Sequence, residues 1–358
     1  MVEANLESVI SGRENNLNII RLFAAFMILF SHAFILSGST EPKTPFYNES
    51  YGALGLDIFF VMSGFLITQS YLGTPNPARF IWSRVLRIFP ALFCVVTLSA
   101  FVLGPMVTTL PVYTYLTQSQ TYSYLLALTL FIGPNSLPGV FPHNPFAFAV
   151  NGSLWMLKYM VAFYALVLFL GITKVLDKKR IILMMFLLCL VLHHLNVGKS
   201  LFLFMISIDQ TLRLFLYFGL GMAAYLYRDS IPMDISYLIF CVLVLVIASV
   251  KNGLHDSLFV FVLTYMVLYI GFHKRIYISW FAKIGDFSYG VFIYSFPVQQ
   301  TVVHLYGGKM DPWVNFAISL VVSLILGALS WHLCEKRLLK FKSLPFSRSS
   351  KILESVYM

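Results

Sequence analysis

The chain has 358 residues, of which 59% are hydrophobic and 11% are charged. A water-soluble globular protein carries charge on about a quarter of its residues, so this composition excludes that class and predicts a polytopic membrane protein. The net charge of +10 does not indicate nucleic-acid binding, because the basic residues are spread over many loops rather than gathered in one patch. We therefore expect membrane lipids, and no nucleic acid, around this chain.

Apolar runs of membrane-spanning length recur along the sequence. They predict an all-α transmembrane bundle of ten spans. We expect no cleavable signal peptide, because the first seventeen residues are polar and of mixed charge and no small-residue cleavage site follows the first apolar run. The spans are predicted at residues 17–37, 52–72, 88–106, 150–173, 181–198, 207–227, 235–250, 257–273, 284–305 and 313–334. Most lysines and arginines then fall in loops on the side of both termini, which makes that side cytoplasmic. We predict one transmembrane domain, 1–340, and a basic cytoplasmic tail, 341–358.

The first span carries Arg21 near its start and His32 near its end. At about 100° per residue the two side chains share a helix face, and at 1.5 Å per residue they lie about 16 Å apart along the axis. Ionisable groups inside a span are costly unless they face protein or water, so both are candidate site residues. The alternative is that Arg21 reaches the cytoplasmic interface while His32 lies near the outer one.

The second span contains Asp57 among apolar and small residues. A carboxylate there needs a cation or a proton, and we expect His32 to be its partner because both lie in the outer half. Such a partner would raise the basicity of the imidazole, as a general base requires. The alternative is a structural hydrogen bond. In the sixth span, Asp209 and Arg213 stand at i and i+4, and we expect them to pair with each other.

The start of the third span, RFIWSRVLRIFPAL, places Arg84 and Arg87 on one helical turn. Together with Arg79 they predict a cationic mouth that suits phosphate or pyrophosphate. Ordinary anchoring at the cytoplasmic interface, or contact with lipid head groups, is the alternative.

The fourth span begins with NGSLWMLKYM, which offers polar and aromatic side chains for a site: Asn151, Ser153, Trp155 and Lys158. Asn151 and Lys158 fall within about 20° of one helix face, so they predict a polar stripe. The ninth span offers Ser288 and Tyr289.

No metal site is predicted. The adjacent His193 and His194 point to different helix faces, and no histidine spacing along the chain suits a metal. The four cysteines lie in apolar runs without metal-binding spacing, and we expect them to be packing residues: Cys94, Cys189, Cys241 and Cys334.

The segment from Val107 to Val150 is uncharged apart from one histidine and is rich in aromatic residues. Its apolar run from Thr121 to Gly133 is too short to span, so we predict a re-entrant or interfacial helix there. Because aromatic surfaces suit the faces of sugars, this segment is our candidate acceptor platform.

Six motifs together resemble the membrane-bound acyltransferase-3 family. They are an arginine followed after ten residues by a histidine in the first span, GLDIFFVMSGFLIT in the second, RVLRIFPAL in the third, NGSLW in the fourth, GDFSYGVFIYSFPVQQ in the ninth and SWHLCEKRLLK at the end of the tenth. The resemblance covers almost the whole chain. It implies about ten spans with cytoplasmic termini, and transfer of an acyl group, usually acetyl from acetyl-CoA, to an extracytoplasmic glycan.

The resemblance also implies roles for individual residues. His32 would be the catalytic histidine and Arg21 its essential partner, while Arg84 and Arg87 would bind the donor. Ser288 and Tyr289 match the family's Ser–Tyr pair, and Glu335 matches the glutamate that ends the last span. No bound cofactor is implied, because acetyl-CoA is a co-substrate.

The chain departs from the family pattern at two positions. Members commonly carry a glutamate five residues after the tryptophan of the NGSLW motif, where this chain has Met160, and many carry a histidine where it has Ser295. Methionine neither accepts a proton nor pairs with Lys158 or an arginine, so Met160 puts turnover in question.

We expect an O-acetyltransferase of a bacterial inner membrane that acts on a surface polysaccharide or its lipid-linked precursor. Two alternatives stay open. One is a transporter or flippase for a lipid-linked sugar, which would use the same charged residues to line a path. The other is a silent relative that binds acyl-CoA but has lost turnover through Met160.

Overall fold

The structure is a computed structural model that describes residues 5–10, 15–203, 205–251, 253–273, 276–279 and 285–342. Its α-helices are α1 (Leu6–Ile10), α2 (Leu17–Leu36), α3 (Tyr51–Gly73), α4 (Pro77–Leu98), α5 (Gly104–Val107), α6 (Val112–Thr117), α7 (Ser119–Ser123), α8 (Trp155–Ile172), α9 (Lys179–His194), α10 (Ile208–Leu226), α11 (Ile235–Val250), α12 (Asp256–Phe272), α13 (Ser288–Leu305), α14 (Pro312–Ser330) and α15 (Lys336–Leu339). A short antiparallel pair, β1 (Phe202–Leu203) and β2 (Ile206–Ser207), precedes α10. The chain is mostly helical, as predicted, and each predicted span contains a helix.

Five helical segments of the described chain are long and apolar enough to cross a membrane. They are Leu17–Leu36, Tyr51–Gly73, Pro77–Val107, Gly152–Ile172 and Pro312–Lys342. Three of the five are longer than one α-helix. The π-helical turns Ser99–Leu103 and Trp331–Glu335 continue α4 and α14, and the 3-10 turn Gly152–Leu154 precedes α8. The other predicted spans coincide with shorter or less apolar helices, so the count of ten spans stays a prediction. Of the predicted basic tail, residues 343–358 lie outside the described residues.

The third long helix begins at Pro77, earlier than the predicted start at residue 88. Asn76 caps it, because its side-chain oxygen accepts a hydrogen bond from the backbone N–H of Arg79 at 2.9 Å. Proline at the first helical position needs no hydrogen-bond acceptor, which favours this start. Arg84 and Arg87 therefore lie well inside a continuous helix.

Glycines set the spacing of the helices that carry the charged side chains. A Cβ on Gly64 of α3 would lie 1.9 Å from the carbonyl oxygen of Phe218 in α10, and a Cβ on Gly290 of α13 would lie 2.8 Å from the Cα of Gly327 in α14. Only glycine permits such close approach of two backbones. These two helix pairs are consequently held at a short, fixed distance.

Contacts of the N-terminal segment identify one end of the bundle. Leu6 N donates to the carbonyl of Ile231 at 2.9 Å, and Asn16 N donates to the carbonyl of Gly271 at 2.8 Å. Glu7 pairs with Arg228 at 3.2 Å. The start of α2 and the C-terminal ends of α10 and α12 therefore lie at the same end, which we call the N-terminal end.

The re-entrant or interfacial helix predicted over residues 121–133 forms only in part, because the helical turns end at Thr129. α7 ends at Ser123, a 3-10 helix follows over Tyr124–Thr129, and Leu130 stops it with a φ of +68°. The segment is instead fixed to α13, because Asn144 Nδ2 donates to the backbone and side-chain oxygens of Gln300 at 2.9 and 2.8 Å. It therefore lies over the end of α13 opposite to the start of α2.

Candidate active site

Four charged side chains and one serine hydroxyl, from four parts of the chain, meet near the N-terminal end. We call them the Asp286 cluster: Arg21, Arg87, Asp286, Ser288 and Glu335. Arg21 Nη1 lies 2.7 Å from Asp286 Oδ2, and Arg87 Nη2 lies 2.5 Å from the same oxygen. Ser288 Oγ donates to Asp286 Oδ1 at 2.6 Å. Burial raises the pKa of Asp286, but the guanidinium groups of Arg87 and Arg21 outweigh it and lower the pKa to about 2. The carboxylate therefore stays ionised between two cations.

Asp286 was missed by the sequence analysis, which began the ninth span at residue 284 and so placed this aspartate inside a helix. In the structure α13 begins only at Ser288, and residues 285–287 are not helical. The available signal was an acidic residue in an otherwise apolar stretch, two positions before the Ser–Tyr pair. Asp286, and not His32 or Asp57, is the side chain that Arg21 binds.

Glu335 joins the cluster through Arg87. It ends the π-helical turn after α14, where its Oε2 lies 3.9 Å from Arg87 Nη1 and its Oε1 accepts a hydrogen bond from Ser330 Oγ at 3.0 Å. The indole of Trp331, from the same turn, lies under the Arg87 guanidinium at 5.7 Å. Two carboxylates and an aromatic ring therefore already contact the Arg87 guanidinium. An arginine that binds phosphate at an exposed site would have fewer such contacts.

Arg84 lies one turn earlier on α4 and has different surroundings. Its Nη2 donates to Ser70 Oγ at 2.9 Å, and its guanidinium lies over the rings of Phe80 and Tyr164 at 5.4 and 5.9 Å. Its buried Nε has no hydrogen-bond partner, and no acidic side chain among the described residues pairs with it. The two arginines predicted to bind the donor therefore differ, since Arg87 is neutralised and Arg84 is not.

A narrow cavity of about 90 Å³ opens beside the cluster. Its wall includes Arg21 and Arg87 together with Met160, Ser288 and Tyr289. The hydroxyl of Tyr289 donates to the carbonyl of Ile88 at 3.0 Å, which ties α13 to α4 at this point. Met160 is buried, so the position at which the chain departs from the family pattern faces the same space as the two arginines.

His32 lies near the other end of α2. Its Nδ1 is buried and has no hydrogen-bond partner among the described residues. The ring packs edge-on against Phe296 of α13, with 5.4 Å between centroids. Phe296 also packs against Phe146 of the segment over α13, and a Cβ on Gly152 would lie 2.6 Å from its ring. The first helix, the NGSLW motif and the segment predicted as acceptor platform thus meet at Phe296, a residue that sequence reasoning missed.

The polar stripe predicted for the fourth span does not form. Residues 152–154 are a 3-10 helix and α8 begins only at Trp155, so Asn151 and Lys158 do not share a continuous α-helix. Asn151 Nδ2 donates to the carbonyl of Ile293 at 2.9 Å, whereas Lys158 Nζ donates to the carbonyl of Met205 at 2.6 Å.

The other two polar or aromatic residues of that motif also separate. Ser153 is buried, and its Oγ has no partner among the described residues. Trp155 is exposed and packs edge-on against Tyr159. The motif therefore contributes Asn151 and Ser153 to the interior, and it leaves Trp155 and Lys158 at its margin.

The predicted partnership of Asp57 with His32 is wrong. Asp57 is fully buried, and Arg213 Nη2 lies 3.0 and 2.9 Å from its two carboxylate oxygens. Tyr47 hydroxyl lies 3.3 Å from Asp57 Oδ2 and 2.7 Å from the hydroxyl of Tyr217. We call these four residues the Asp57 cluster.

The predicted pairing of Asp209 with Arg213 is wrong for the same reason. Close packing of α3 against α10 brings a buried carboxylate to Arg213, and a buried partner is favoured over a solvated neighbour on the same helix. The only aspartate that the structure gives Arg213 as an ion-pair partner, among the described residues, is Asp57.

Histidine and cysteine side chains elsewhere form no metal site in the described part of the chain, where no three His, Cys, Asp or Glu side chains gather as ligands. His194 packs edge-on against His255, with 5.2 Å between centroids.

Comparison with known proteins identifies the family. The sequence profile described as an acyltransferase domain, of the acyltransferase-3 family, matches residues 14–332. The chain is 28% identical over 341 residues to an O-acetyl transferase of Shigella phage Sf6, covering 91% of this chain and 96% of the relative. It is 33% identical over 165 residues to nodulation protein 10 of Rhizobium leguminosarum bv. viciae, covering 43% of each. No solved structure matches. The chain therefore belongs to the acyltransferase-3 family of membrane-embedded acyltransferases.

Proposed function

We propose that this protein is a multi-pass O-acetyltransferase of a bacterial inner membrane. It transfers acetyl from acetyl-CoA to a hydroxyl of an extracytoplasmic polysaccharide or of its lipid-linked precursor. The observation that carries the proposal is α2, which gives Arg21 to the charged cavity at one end and carries His32 about 16 Å away along its axis. The phage relative's name, O-acetyl transferase, supports acetyl as the transferred group and a hydroxyl as the acceptor.

The donor would bind at the N-terminal end of the bundle, which we take to be cytoplasmic. Arg84 is the better candidate ligand for its phosphates, because no carboxylate among the described residues neutralises it. Arg21 and Arg87, held by Asp286, would line the passage for the thioester arm. A cavity of about 90 Å³ is small for a nucleotide, so the nucleotide would stay at the mouth beside Arg84.

The transfer itself would take place at His32. The imidazole accepts the proton of the acceptor hydroxyl while that oxygen attacks the thioester carbonyl. The carbon–sulfur bond then breaks, and the proton passes from the imidazolium to the leaving thiolate. Transient acetylation of the imidazole is the alternative order of events. The Nδ1 of His32 has no hydrogen-bond partner among the described residues, so no described side chain competes with a substrate for this ring nitrogen.

The acceptor would approach from the opposite end, along residues 107–150. Phe146 of this segment and His32 both pack against Phe296, so a sugar on the segment would lie near the imidazole. Exchange of residues 107–143 for those of the phage relative, with Asn144 kept to preserve docking on Gln300, is expected to change which glycan is acetylated. An unchanged acceptor choice in a chain that still transfers acetyl would contradict this role.

The experiment that tests the proposal measures transfer from labelled acetyl-CoA in membranes that contain the chain. We expect transfer with the chain as written and none with His32→Ala, while the control His255→Ala keeps it. If neither histidine variant differs from the unaltered chain, the proposed site is wrong. A chain that leaves acetyl-CoA untouched and moves a lipid-linked sugar across the bilayer would instead be a transporter or flippase.

Met160 distinguishes an active enzyme from a silent relative. Its side chain lines the cavity beside Arg21 and Arg87, so Met160→Glu adds a carboxylate there, and Met160→Gln adds similar volume without charge. Transfer by the chain as written means that the glutamate is dispensable here. If Met160→Glu transfers acetyl while the unaltered chain and Met160→Gln do not, the unaltered chain is an inactivated acyltransferase.

A further inference from the structure

Two cysteines that are 240 positions apart in the sequence meet in the fold. Cys94 lies on α4 and Cys334 lies in the π-helical turn after α14, and their sulfur atoms are 3.7 Å apart. Both side chains are partly exposed, and all four cysteines of the chain are free thiols. The sequence analysis treated them as separate packing residues, because nothing in their spacing brings them together.

The same two elements also hold the Asp286 cluster. Cys334 directly precedes Glu335, the carboxylate 3.9 Å from Arg87, and Cys94 lies two helical turns beyond Arg87 on α4. The π-helical turn thus contacts α4 at two depths, through Trp331 and Glu335 at Arg87 and through Cys334 at Cys94. A covalent bond between Cys94 and Cys334 would therefore hold Trp331 and Glu335 against Arg87.

We propose that Cys94 and Cys334 form an oxidisable dithiol site that closes to a disulfide when a peroxide enters the membrane. One sulfur attacks a peroxide oxygen, the O–O bond breaks, and a sulfenic acid and one water form. The second sulfur then displaces the hydroxyl group as another water. Two S–H bonds are lost and one S–S bond is formed, while hydrogen peroxide takes up the two electrons and two protons.

The geometry favours this reaction within one chain. A disulfide needs its sulfur atoms about 2.05 Å apart, so the sulfur atoms must approach by somewhat less than 2 Å, which side-chain rotation can supply. Cys189 lies on α9 and Cys241 on α11, and the structure gives neither a cysteine neighbour among the described residues. They provide an internal control for the pair.

Closure of the site would restrict Arg87. If acetyl-CoA binding requires Arg87 to move away from Glu335, the cross-link opposes that movement and lowers transfer. This consequence rests on the proposed acetyl-CoA site, whereas formation of the disulfide does not.

The test counts thiols in membranes that contain the full chain with Cys189→Ser and Cys241→Ala, which leaves only the pair. After peroxide treatment the protein is denatured and labelled with a maleimide polymer, and each free thiol adds one polymer. We expect two additions before oxidation, none after it and two again after dithiothreitol. The matched chain with Cys94→Ser and Cys334→Ser is expected to keep its two additions throughout.

Two results would overturn the site. One is a pair that keeps both additions at a peroxide dose that oxidises an exposed dithiol peptide. The other is loss of label that comes with a dimer on a non-reducing gel, which would mean bonds between chains. A disulfide that forms without lowering acetyl transfer would overturn only the proposed effect on Arg87. A chain that transfers no acetyl would contradict the proposed function, and the thiol count would still test the disulfide.

Discussion

The two buried ionic clusters of this protein use the same side-chain types in opposite ways. In the Asp57 cluster one carboxylate meets one guanidinium, with Asp57 fully buried and the Arg213 side chain 13% exposed. In the Asp286 cluster two carboxylates, Asp286 and Glu335, face two guanidinium groups, whose side chains are 24% and 23% exposed and line a cavity. A closed, buried pair leaves no surface for a ligand, whereas the two arginines of the open cluster face a cavity that a ligand can enter. We infer that the first stabilises the bundle and the second serves the reaction.

The largest expected effect is loss of stability when the Asp57 cluster is broken. Asp57→Ala leaves Arg213 buried without its carboxylate, which is expected to cost about 3–5 kcal/mol. The double variant Asp57→Leu with Arg213→Met removes both charges and is expected to recover most of that loss. Thermal unfolding of detergent-solubilised protein measures both.

The same variants test whether Asp57 is catalytic, as the sequence predicted. An Asp57→Ala chain with unchanged thermal stability and no acetyl transfer would show that the predicted catalytic role is right and that the structural interpretation is wrong. Recovery of both stability and transfer in the double variant would exclude a catalytic carboxylate at this position.

The next effect is loss of activity without comparable loss of stability when the Asp286 cluster is broken. Asp286→Asn removes the charge that positions Arg21 and Arg87, and misplacement of such groups by about 1 Å costs on the order of 100-fold in rate. We expect transfer to fall by about that factor, with a smaller drop in unfolding temperature than for Asp57→Ala. The control is Asp234→Asn, an aspartate that caps α11 through the N–H of Ser236. Equal losses of activity in both variants would contradict a specific role of Asp286.

Sequence reasoning predicted the helices because long apolar runs almost always form helices in a membrane protein. The structure places a helix in each predicted span. It singled out Arg21, Ser288 and Glu335 because they stand in motifs, and the structure brings these three side chains together around Asp286. It missed Asp286 because the contact with Arg21 joins residues 265 positions apart, and no local pattern reports such a distance.

It assigned the wrong partners for a related physical reason. Asp57 had an imidazole at a similar depth and Arg213 had a carboxylate at i+4 spacing, so both pairings were chemically sound. The close packing of α3 on α10 at Gly64 determines the pairing, because it brings Asp57 next to Arg213. Spacing in a sequence identifies which groups need partners, while helix packing decides which partners they get.

A smaller effect separates the two arginines of α4. Arg84→Ala removes a guanidinium that no described carboxylate neutralises, and charge-assisted hydrogen bonds of this kind contribute about 1.5–3 kcal/mol. We expect the KM for acetyl-CoA to rise by about tenfold or more with little change in kcat. Steady-state kinetics at constant salt measure this, with Arg228→Ala as the control, because Arg228 pairs with Glu7 at the same end of the bundle. A fall in kcat at unchanged KM would place Arg84 in the chemical step and not in donor binding.

The smallest expected effect is a pH dependence that belongs to Asp286. Because its pKa in the folded protein is lowered to about 2, the unfolded chain binds more protons between that value and the ordinary pKa of about 3.9. The ion pairs therefore contribute stability above pH of about 5, and about 2 kcal/mol of it is lost as the pH falls to about 2. The stability difference between the unaltered chain and Asp286→Asn should shrink by that amount as the pH falls from about 5 to about 2. Unfolding of the two proteins in detergent at matched pH measures the difference. A difference independent of pH would mean that Arg21 and Arg87 do not lower the pKa of Asp286, and the charge of this carboxylate would then not be what positions the two arginines beside the cavity.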